Sequence, residues 1–299
     1  MIRGLDLNYI ILDLEWNNAY SYAKKGFMNE IIEIGAIKLN DRFDVVDTFK
    51  QLIKPKITKK LSSRCKNITN ITNEQLNENG IPFTQAIKDF ARWCQNQDNI
   101  FLTWSNSDLY VLAENYQLIC LTTEIGFITK YCDAQKYCMA FVEKEDKNQI
   151  SLAKCAELLG VEIDTQKLHR ALADCYVTAE CLKKVYDKNK LLSYTVNCDK
   201  YFFERLIYKP CIITKPKTEL FNVYDVKLTC PKCSAEMTRL KNFECVNKSF
   251  RCPAKCSVCN KIYWTTVRAK KKYDEVEVSQ RSIEMNKKRA KKIKPKENS

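Results

Sequence analysis

The sequence contains very little histidine: among its 299 residues there is one, His169. A single imidazole cannot be one of several interchangeable surface residues. It is either an accident of a lysine-rich composition or a group whose chemistry no other side chain replaces. His169 lies five residues before Asp174, at the start of a segment with helical periodicity. The choice between the two explanations therefore depends on what surrounds that segment.

The sequence also lacks a long apolar run. No stretch approaches the ~18 apolar residues that a membrane-spanning helix needs, so we expect no such helix. Asp13 and Glu15 interrupt the apolar start of the chain, which is not typical of a secretory signal. We therefore expect a cytoplasmic protein. In a reducing compartment, the spacing of its 16 cysteines is interpreted as metal ligation before disulfides are considered.

Positive charge is distributed unevenly along the chain. The net charge is +14, yet residues 1–200 are neutral overall and the whole excess lies in residues 201–299. This asymmetry suggests that the C-terminal third binds a polyanion and that the neutral N-terminal part of the chain carries out a reaction on it. The alternative is a lysine-rich tail that only keeps the chain soluble.

Hydrophobic patterns predict an α/β body. Strands are predicted at 9–14, 31–39, 45–53 and 100–104, and helices at 83–95, 108–119, 151–159 and 170–188. Three strands followed by alternating helices and strands indicate a mixed sheet.

Two acids lie at the end of the first predicted strand. Alternation along a strand points Asp13 and Glu15 to the same face. Two carboxylates side by side on a core strand lose water and repel each other, and a divalent cation would remove both penalties. The alternative is that the strand ends at Leu12 and that both acids are solvated.

Two further acids lie at predicted helix starts. Asp108 follows the strand at 100–104 and opens a helix, where an acid is also common as a cap. Asp174 lies among small and apolar residues of the helix at 170–188, so its charge needs a partner. His169, immediately before that helix, is either such a partner or an ordinary packed or surface residue.

These residues resemble the motifs of the DEDDh 3′–5′ exonucleases. The matching segments are DLE at 13–15, the acid of WSNSD at 104–108, and HRALAD at 169–174, whose His-x(4)-Asp form separates this group from a tyrosine-bearing one. Other segments are similar to the Eri/KapD-type branch: NEIIEIGAI at 29–37, LSSRCKNITNITNEQL at 61–76 and the PF…F..W helix at 82–93. The resemblance covers about residues 7–188. Ser105 and Ser107 stand where many relatives have other residues, glycine among them.

The resemblance implies an RNase H-like fold, in which a mixed sheet is flanked by helices. It further implies that two Mg²⁺ or Mn²⁺ ions are held by Asp13, Glu15, Asp108 and Asp174, and that His169 is the general base. Two cations suit phosphodiester hydrolysis, since one activates water and the other steadies the leaving oxygen. Imidazole, with an ordinary pKa of about 6.5, is matched to accepting the proton of that water near neutral pH.

A separate cysteine-rich module follows the body. CPKC at 230–233 and CSVC at 256–259 are two C-x₂-C pairs, a pattern that resembles a zinc ribbon with one structural Zn²⁺. We predict Cys230, Cys233, Cys256 and Cys259 as its ligands because their spacing is symmetric. Cys245 and Cys252 lie between the pairs, and Cys252 in particular could replace one ligand.

Aromatic and basic residues follow the second cysteine pair. Aromatic faces beside positive charge suit the stacking of single-stranded bases. The residues predicted to contact nucleic acid are Tyr263, Trp264, Arg268, Lys270, Lys271 and Lys272. A ribbon that only stabilises a small module is the alternative.

The sequence therefore predicts a metal-dependent 3′–5′ exonuclease that acts on nucleic acid, with RNA favoured over DNA by the resemblance alone. The alternatives are a DNA trimming or repair exonuclease and a non-catalytic nucleic-acid-binding protein. The predicted organisation is an exonuclease domain at 1–190, a connector at 191–225, a zinc-ribbon-like module at 226–268 and a basic, disordered tail at 269–299.

Overall fold

The computed structural model describes residues 8–94, 99–142, 149–164 and 169–286. The chain divides into two compact units, with the division between Ile207 and Tyr208. Within the described residues, no helix is long and apolar enough to cross a membrane.

The first unit is built on a mixed sheet of six strands within the described residues. These strands are β1 (Tyr9–Ser21), β2 (Gly26–Leu39), β3 (Val45–Leu52), β4 (Ile100–Thr103), β5 (Lys130–Asp133) and β6 (Thr195–Asn197). Their order in the sheet is β3-β2-β1-β4-β5-β6. The β1–β4 and β4–β5 pairs are parallel, whereas the other neighbours are antiparallel.

Helices pack on both faces of this sheet. They are α1 (Ser63–Thr69), α2 (Asn73–Asn79), α3 (Phe83–Cys94), α4 (Ser107–Cys120), α5 (Ala134–Cys138), α6 (Leu152–Leu158), α7 (Ala171–Lys184), α8 (Lys188–Tyr194) and α9 (Lys200–Ile207). The predicted α/β architecture, a mixed sheet flanked by helices, is confirmed.

Side-chain alternation along β1 divides the core into two clusters. Ile10, Leu12 and Leu14 belong to the cluster beneath α3 and α4, whereas Tyr9 and Ile11 belong to the cluster that includes α6 and α7. Side chains two residues apart on a strand share a face. The odd-numbered residues of β1 therefore point toward α7.

The first two strands are longer than predicted. β1 continues from the apolar segment to Ser21 and pairs with β2 over that whole length, with a register shift between Glu15 and Trp16. The solvated alternative for the acids, in which the strand ends at Leu12, is therefore wrong. Asp13 and Glu15 lie inside a paired strand, because backbone pairing with β2 extends the strand beyond its apolar part.

The second unit is an antiparallel sheet whose core contains three buried cysteines, Cys230, Cys252 and Cys256. It has β7 (Cys211–Ile213), a 3₁₀ turn (Val223–Asp225), β8 (Met237–Arg239), β9 (Glu244–Val246), β10 (Ser249–Cys256), β11 (Ile262–Lys271) and β12 (Val276–Glu284). The main path is β12-β11-β10-β8, with β7 beside β11 and β9 beside β10. Phe250 and Val267 are buried in its core.

The described elements depart from the predicted organisation in two places. The predicted connector at 191–225 contains α9, which packs with the first unit through Phe203, and β7, which belongs to the second. Residues 269–271 and 276–284, predicted as part of a disordered tail, lie in β11 and β12, where they pair in antiparallel register. The many lysines of this segment obscured the alternation of buried and exposed residues that is typical of a strand. The rest of that tail, 287–299, lies outside the described residues.

Candidate active site

The first two acids project from the centre of the sheet. Asp13 pairs with Gly35 of β2, and Glu15 pairs with Glu33. Both acids follow Ile11 on the face that packs against α7. Glu15 is only 9% exposed. The register shift immediately after Glu15 ends this regular alternation.

The third acid, Asp108, follows a strained turn between β4 and α4. Ser105 has a φ of +70°, a left-handed conformation that favours glycine. Its carbonyl accepts hydrogen bonds from the hydroxyls of Thr103 and Tyr131, the latter at 3.1 Å. These bonds hold the turn in the absence of glycine. Asp108, in the first turn of α4, is buried, and its Oδ1 accepts a hydrogen bond from the amide of Leu14 at 3.0 Å.

The fourth acid depends on a close approach of α7 to the sheet. A Cβ on Gly35 would lie 2.4 Å from the backbone nitrogen of Leu172 and 2.7 Å from Cβ of Ala171. Only glycine allows this approach. The thiol of Cys175 lies 3.5 Å from the carbonyl oxygen of Ile11 and 3.4 Å from that of Gly35, within hydrogen-bond distance of both strands. The beginning of α7 is thereby fixed over Asp13.

Asp174 and His169 are joined at this helix start. The backbone N–H of His169 donates to Oδ2 of Asp174 at 3.3 Å. His169 is exposed and has a φ of +65°, which is uncommon for a residue with a side chain. The sequence already indicated that His169 and Asp174 are close together, and the structure adds the hydrogen bond that connects them.

A partly buried ion pair connects Arg170, the residue that follows His169, to Glu33 of β2. Glu33 has no exposed surface, and its carboxylate accepts from Nε of Arg170 at 3.1 Å and from Nη2 at 2.7 Å. The same carboxylate accepts from the amide of Ala171 at 3.3 Å. Paired hydrogen bonds of this kind fix orientation as well as distance. β2 thus holds the segment that carries His169.

The acids converge although they are far apart in sequence. Ligand oxygens of Asp13, Glu15 and Asp174 all lie within 4.8 Å of one another. Asp108 is outside this closest group but lines the same cleft, as does His169. Other parts of the lining come from Trp16, Cys65, Ile68, Thr69, Trp104, Ser105, Ser107 and Leu152. All five predicted positions therefore border one cleft.

Burial and mutual repulsion raise the pKa values of these acids in the metal-free cleft. Burial raises the pKa of Asp13 well above its ordinary value, and the charges of Asp108 and Asp174 add to the rise. Burial, followed by the charge of Asp174, raises the pKa of Glu15 to about 8. The pKa of Asp108 rises to about 7, mainly through burial. Burial also raises that of Asp174, although His169 opposes the rise.

The donor set fits a divalent cation. Oδ1 of Asp174 is buried and has no hydrogen-bond partner among the described residues. A buried carboxylate oxygen without a partner is costly, and a cation would satisfy it. Carboxylate oxygens are the ligands that Mg²⁺ and Mn²⁺ prefer. The site therefore has the charge, the atom type and the unused acceptor that such an ion requires.

Comparison with known proteins agrees with this geometry. The profile of the RNase_T family, described as exonuclease, matches residues 10–182, which is more than half of the chain. The chain belongs to this exonuclease family. The predicted DEDDh 3′–5′ exonuclease identity and the RNase H-like fold are confirmed.

Individual relatives match this chain over different lengths. The probable 3′–5′ exonuclease KapD of Bacillus subtilis is 31% identical over 185 residues, which cover 60% of this chain and 85% of that protein. The 3′–5′ exoribonuclease 1 of Mus musculus is 26% identical over 155 residues, covering 50% of this chain and 44% of that protein. The solved nuclease domain of 3′hExo, described as a DEDDh family member bound to rAMP, has a TM-score of 0.54 and 26% identity, covering 64% and 96%.

Three residues that support the exonuclease site were not assigned a role from the sequence. Gly35, Glu33 and Arg170 position α7 and the segment before it. Gly35 and Glu33 lie within NEIIEIGAI, and Arg170 follows His169. An acid inside an otherwise apolar strand was the available signal, since a buried charge needs a partner.

The four predicted thiols of the second unit lie together. Sγ atoms of Cys230, Cys233, Cys256 and Cys259 all lie within 4.8 Å of one another. The distances are 3.6 Å from Cys230 to Cys259 and 3.5 Å from Cys233 to Cys256. Four sulfurs at ~2.3 Å from a tetrahedral zinc would be separated by about 3.8 Å. The arrangement is compatible with one Zn²⁺.

The other two cysteines of this segment lie outside the thiol cluster. Cys252 is fully buried and pairs with Thr265 across the sheet. Cys245 is exposed on β9. Among the described residues, neither belongs to the four-thiol group.

The six residues predicted to contact nucleic acid do not share one surface. Tyr263 is buried, and its hydroxyl lies 3.6 Å from Sγ of Cys230. Lys271 lies on the same side of β11 as Tyr263, since the two are an even number of positions apart. Lys272 contacts two acids, Glu275 at 3.2 Å and Glu277 at 3.3 Å. The prediction for Tyr263 is wrong, because strand alternation turns its ring inward.

The other three predicted residues share a face of β11. Trp264, Arg268 and Lys270 alternate with buried residues and are exposed or partly exposed. The aromatic and basic side chains expected in this region are therefore present together, on the side of the strand away from the thiols.

Proposed function

We propose that this exonuclease shortens RNA from the 3′ end, with two divalent cations held by its four acids and with His169 as general base. The observation that carries the proposal is the convergence of Asp13, Glu15 and Asp174 within 4.8 Å, from positions up to 161 residues apart in the chain. Asp108 completes the lining of the cleft.

The acids are suited to holding cations and not to acting as bases themselves. Asp13, Glu15 and Asp174 would hold one cation, and Asp108 with Asp13 would hold a second. When bound, Mg²⁺ or Mn²⁺ would lower the pKa of water and relieve the negative charge that develops on the phosphoryl group. Because the pKa of Glu15 is raised to about 8 and that of Asp108 to about 7, cations that bind these carboxylates would displace protons near neutral pH.

His169 is suited to accepting the proton of the attacking water. Imidazole is the side chain whose chemistry suits proton transfer near neutral pH, which is what a general base needs. The side chain stands at the border of the cleft, and its backbone is bonded to Asp174. Its position therefore follows that of one of the metal-holding acids.

Two tryptophans are suited to holding the terminal nucleotide. Trp16 and Trp104 line the cleft on β1 and after β4. Nε1 of Trp104 is buried and has no hydrogen-bond partner among the described residues. An indole offers a face for base stacking and one N–H donor. The two side chains would position the last nucleotide of the strand over the acids.

RNA is favoured over DNA by the names of relatives, since one of them is called an exoribonuclease. The test uses RNA and DNA of one sequence, each labelled at the 5′ end or at the 3′ end, with Mg²⁺, Mn²⁺ or EDTA. We expect a ladder of shortened 5′-labelled RNA and early release of a labelled mononucleotide from 3′-labelled RNA. Asp13→Asn should abolish both products.

Other outcomes of this assay separate the alternatives. Preferential shortening of the DNA would replace the RNA proposal with a DNA trimming activity. Release of a mononucleotide from the 5′-labelled strand would contradict the direction. Binding with no cleavage under any metal would indicate a non-catalytic nucleic-acid-binding protein.

A further inference from the structure

One face of the second unit is lined with arginines around an exposed tryptophan, and these arginines form no ion pair among the described residues. Residues directly opposite on antiparallel strands lie on the same face. Trp264 is opposite Ile283, and Thr266 is opposite both Arg251 and Arg281. With Arg268 on the same side of β11, these residues form what we call the arginine face: Arg251, Trp264, Arg268, Arg281 and Ile283.

The arginine face is separate from the thiol cluster. Along β11, buried Tyr263 and Val267 alternate with Trp264 and Arg268. Tyr263 points to the thiols of Cys230 and Cys259. The two faces of one sheet therefore have different roles: one encloses the thiols, and the other presents charge and an aromatic ring to solvent.

The arginines of this face have no acidic partner within the described ranges of the chain. In the part of the chain that the structure describes, Arg251, Arg268 and Arg281 make no ion pair, and Nε of Arg251 is buried without a hydrogen-bond partner. Two acids lie near these arginines: Glu277 contacts Lys272 at 3.3 Å, and Glu244 lies opposite Arg251 without forming an ion pair with it among the described residues. A group of unpaired arginines repels itself and is relieved by an anion.

The apolar part of the face is adjacent to this charge. Trp264 is 37% exposed and Ile283 is 57% exposed, and both border a shallow cleft that also includes Met285. Residues two apart on a strand are about 7 Å apart, and neighbouring strands about 4.8 Å apart. Arg251 and Arg281 therefore lie on either side of Thr266, which is about 7 Å along β11 from Trp264. Arg268 lies about 7 Å beyond Thr266 on the same strand.

We propose that the arginine face binds single-stranded nucleic acid, with a base stacked on Trp264 and phosphates held by Arg251, Arg268 and Arg281. Guanidinium groups match phosphate geometry, and an exposed indole stacks on a base of any identity. A single strand is favoured over a duplex, because a duplex hides the faces of its bases. This surface is distinct from the proposed nuclease cleft and uses none of its acids.

The combination of groups favours nucleic acid over other anionic partners. An acidic peptide would satisfy the arginines but offers no flat ring for Trp264. An anionic membrane would accept both groups, but Arg251 is only partly exposed and cannot reach far from the sheet. A chain of phosphates that carries planar bases matches the ring and all three arginines.

The test is a binding measurement on the full chain with fluorescent single-stranded RNA whose phosphorothioate linkages resist cleavage, in buffer without added divalent metal. Trp264→Ala should weaken binding about tenfold, whereas Trp264→Phe should keep most of it. Arg268→Gln with Arg281→Gln should reduce the slope of log affinity against log salt by about 1.4, as expected for two lost phosphate contacts. Far-ultraviolet circular dichroism reports whether each variant is folded.

A matched control removes the same charge elsewhere. Lys241 and Lys248 are exposed in turns outside the sheet face, so Lys241→Gln with Lys248→Gln should leave the salt slope near that of the unmodified chain. Equal losses in the control and the arginine variant, or no loss in the Trp264 variants, would overturn the proposal. Stronger effects on binding to phosphatidylserine vesicles or to polyglutamate than on RNA would also overturn it.

This result is independent of the nuclease proposal. Hydrolysis of a very short oligonucleotide by the same variants reports the cleft alone. Normal hydrolysis with weakened binding of long strands supports the arginine face. Normal binding of long strands with lost hydrolysis would contradict the arginine-face proposal and would show that the substitutions act on the nuclease cleft.

Discussion

At the scale of single residues, His169 combines an uncommon backbone conformation with an exposed imidazole. Its φ of +65° is held by the bond from its own N–H to Asp174. Asparagine adopts this conformation more readily than other residues with side chains. A change to asparagine therefore removes the imidazole with little change in backbone strain.

We predict that His169→Asn lowers kcat about 10²–10⁴-fold, which is the usual contribution of a general base. Affinity for Mn²⁺ should stay near that of the unmodified chain, since the acids are untouched. Single-turnover kinetics and a metal titration measure the two quantities. A His169→Asn variant with full activity would remove the general-base assignment.

The raised pKa values of the acids predict how stability depends on pH in the metal-free protein. From ordinary values near 4, the folded-state pKa is raised to about 8 for Glu15 and about 7 for Asp108. Between these limits the folded state binds protons that the unfolded state has released, so the free energy of unfolding falls as the pH rises.

Thermal melts of the metal-free chain between about pH 5 and pH 8 measure this effect. The melting temperature should decrease across that range, and added Mg²⁺ should raise it most at the alkaline end, where a larger fraction of the acids is ionised. Glu15→Gln should flatten the metal-free curve. A melting temperature that stays constant or increases with pH would argue against a preassembled acid cluster.

At the scale of elements, the position of Asp174 depends on the close packing of α7 against β2 at Gly35. Gly35→Ala would place a methyl group 2.4 Å from the backbone of Leu172, too close to be accommodated without movement. We predict that this change moves α7, lowers the melting temperature and reduces kcat. The matched control is Gly126→Ala, because a Cβ at Gly126 meets nothing within 4 Å.

The measurements are melts and steady-state kinetics on both variants. Unchanged activity and stability for Gly35→Ala would show that α7 tolerates displacement. Equal losses in both alanine variants would show that the effect is not specific to the helix contact.

Much of the element pattern was predictable, and the exceptions have physical causes. The apolar period of β1 was evident, but its continuation to Ser21 depends on backbone pairing with β2, which no local pattern reports. Glu33 could be recognised as unusual within an apolar strand. Its partner Arg170 lies 137 residues away, and only the fold brings the two together. The acids themselves were predictable because their motifs are local.

At the scale of the whole molecule, the two units contain different groups of possible metal ligands, carboxylates in the first and thiols in the second. The second unit has a small core beside a group of four thiols, and small modules with such a group often require the metal for folding. Strands β11 and β12 could not be predicted, because alternation there is carried by lysine, arginine and serine as much as by apolar residues.

We predict that Cys233→Ser lowers the zinc content to well below one ion per chain. Cys245→Ser is the matched control: both thiols are exposed, but Cys245 lies outside the cluster. Zinc measured by mass spectrometry after purification without chelators distinguishes them. Equal zinc content in the two variants would contradict the assignment of the ligands.

The most direct test of the account is a titration of Mn²⁺ into the chain, followed by electron paramagnetic resonance, for the unmodified protein and for Asp13→Asn. The account predicts two bound Mn²⁺ per chain in the unmodified protein, and loss or strong weakening of both in the variant, because Asp13 lies at the centre of the converging acids. Identical binding by the two proteins would contradict it.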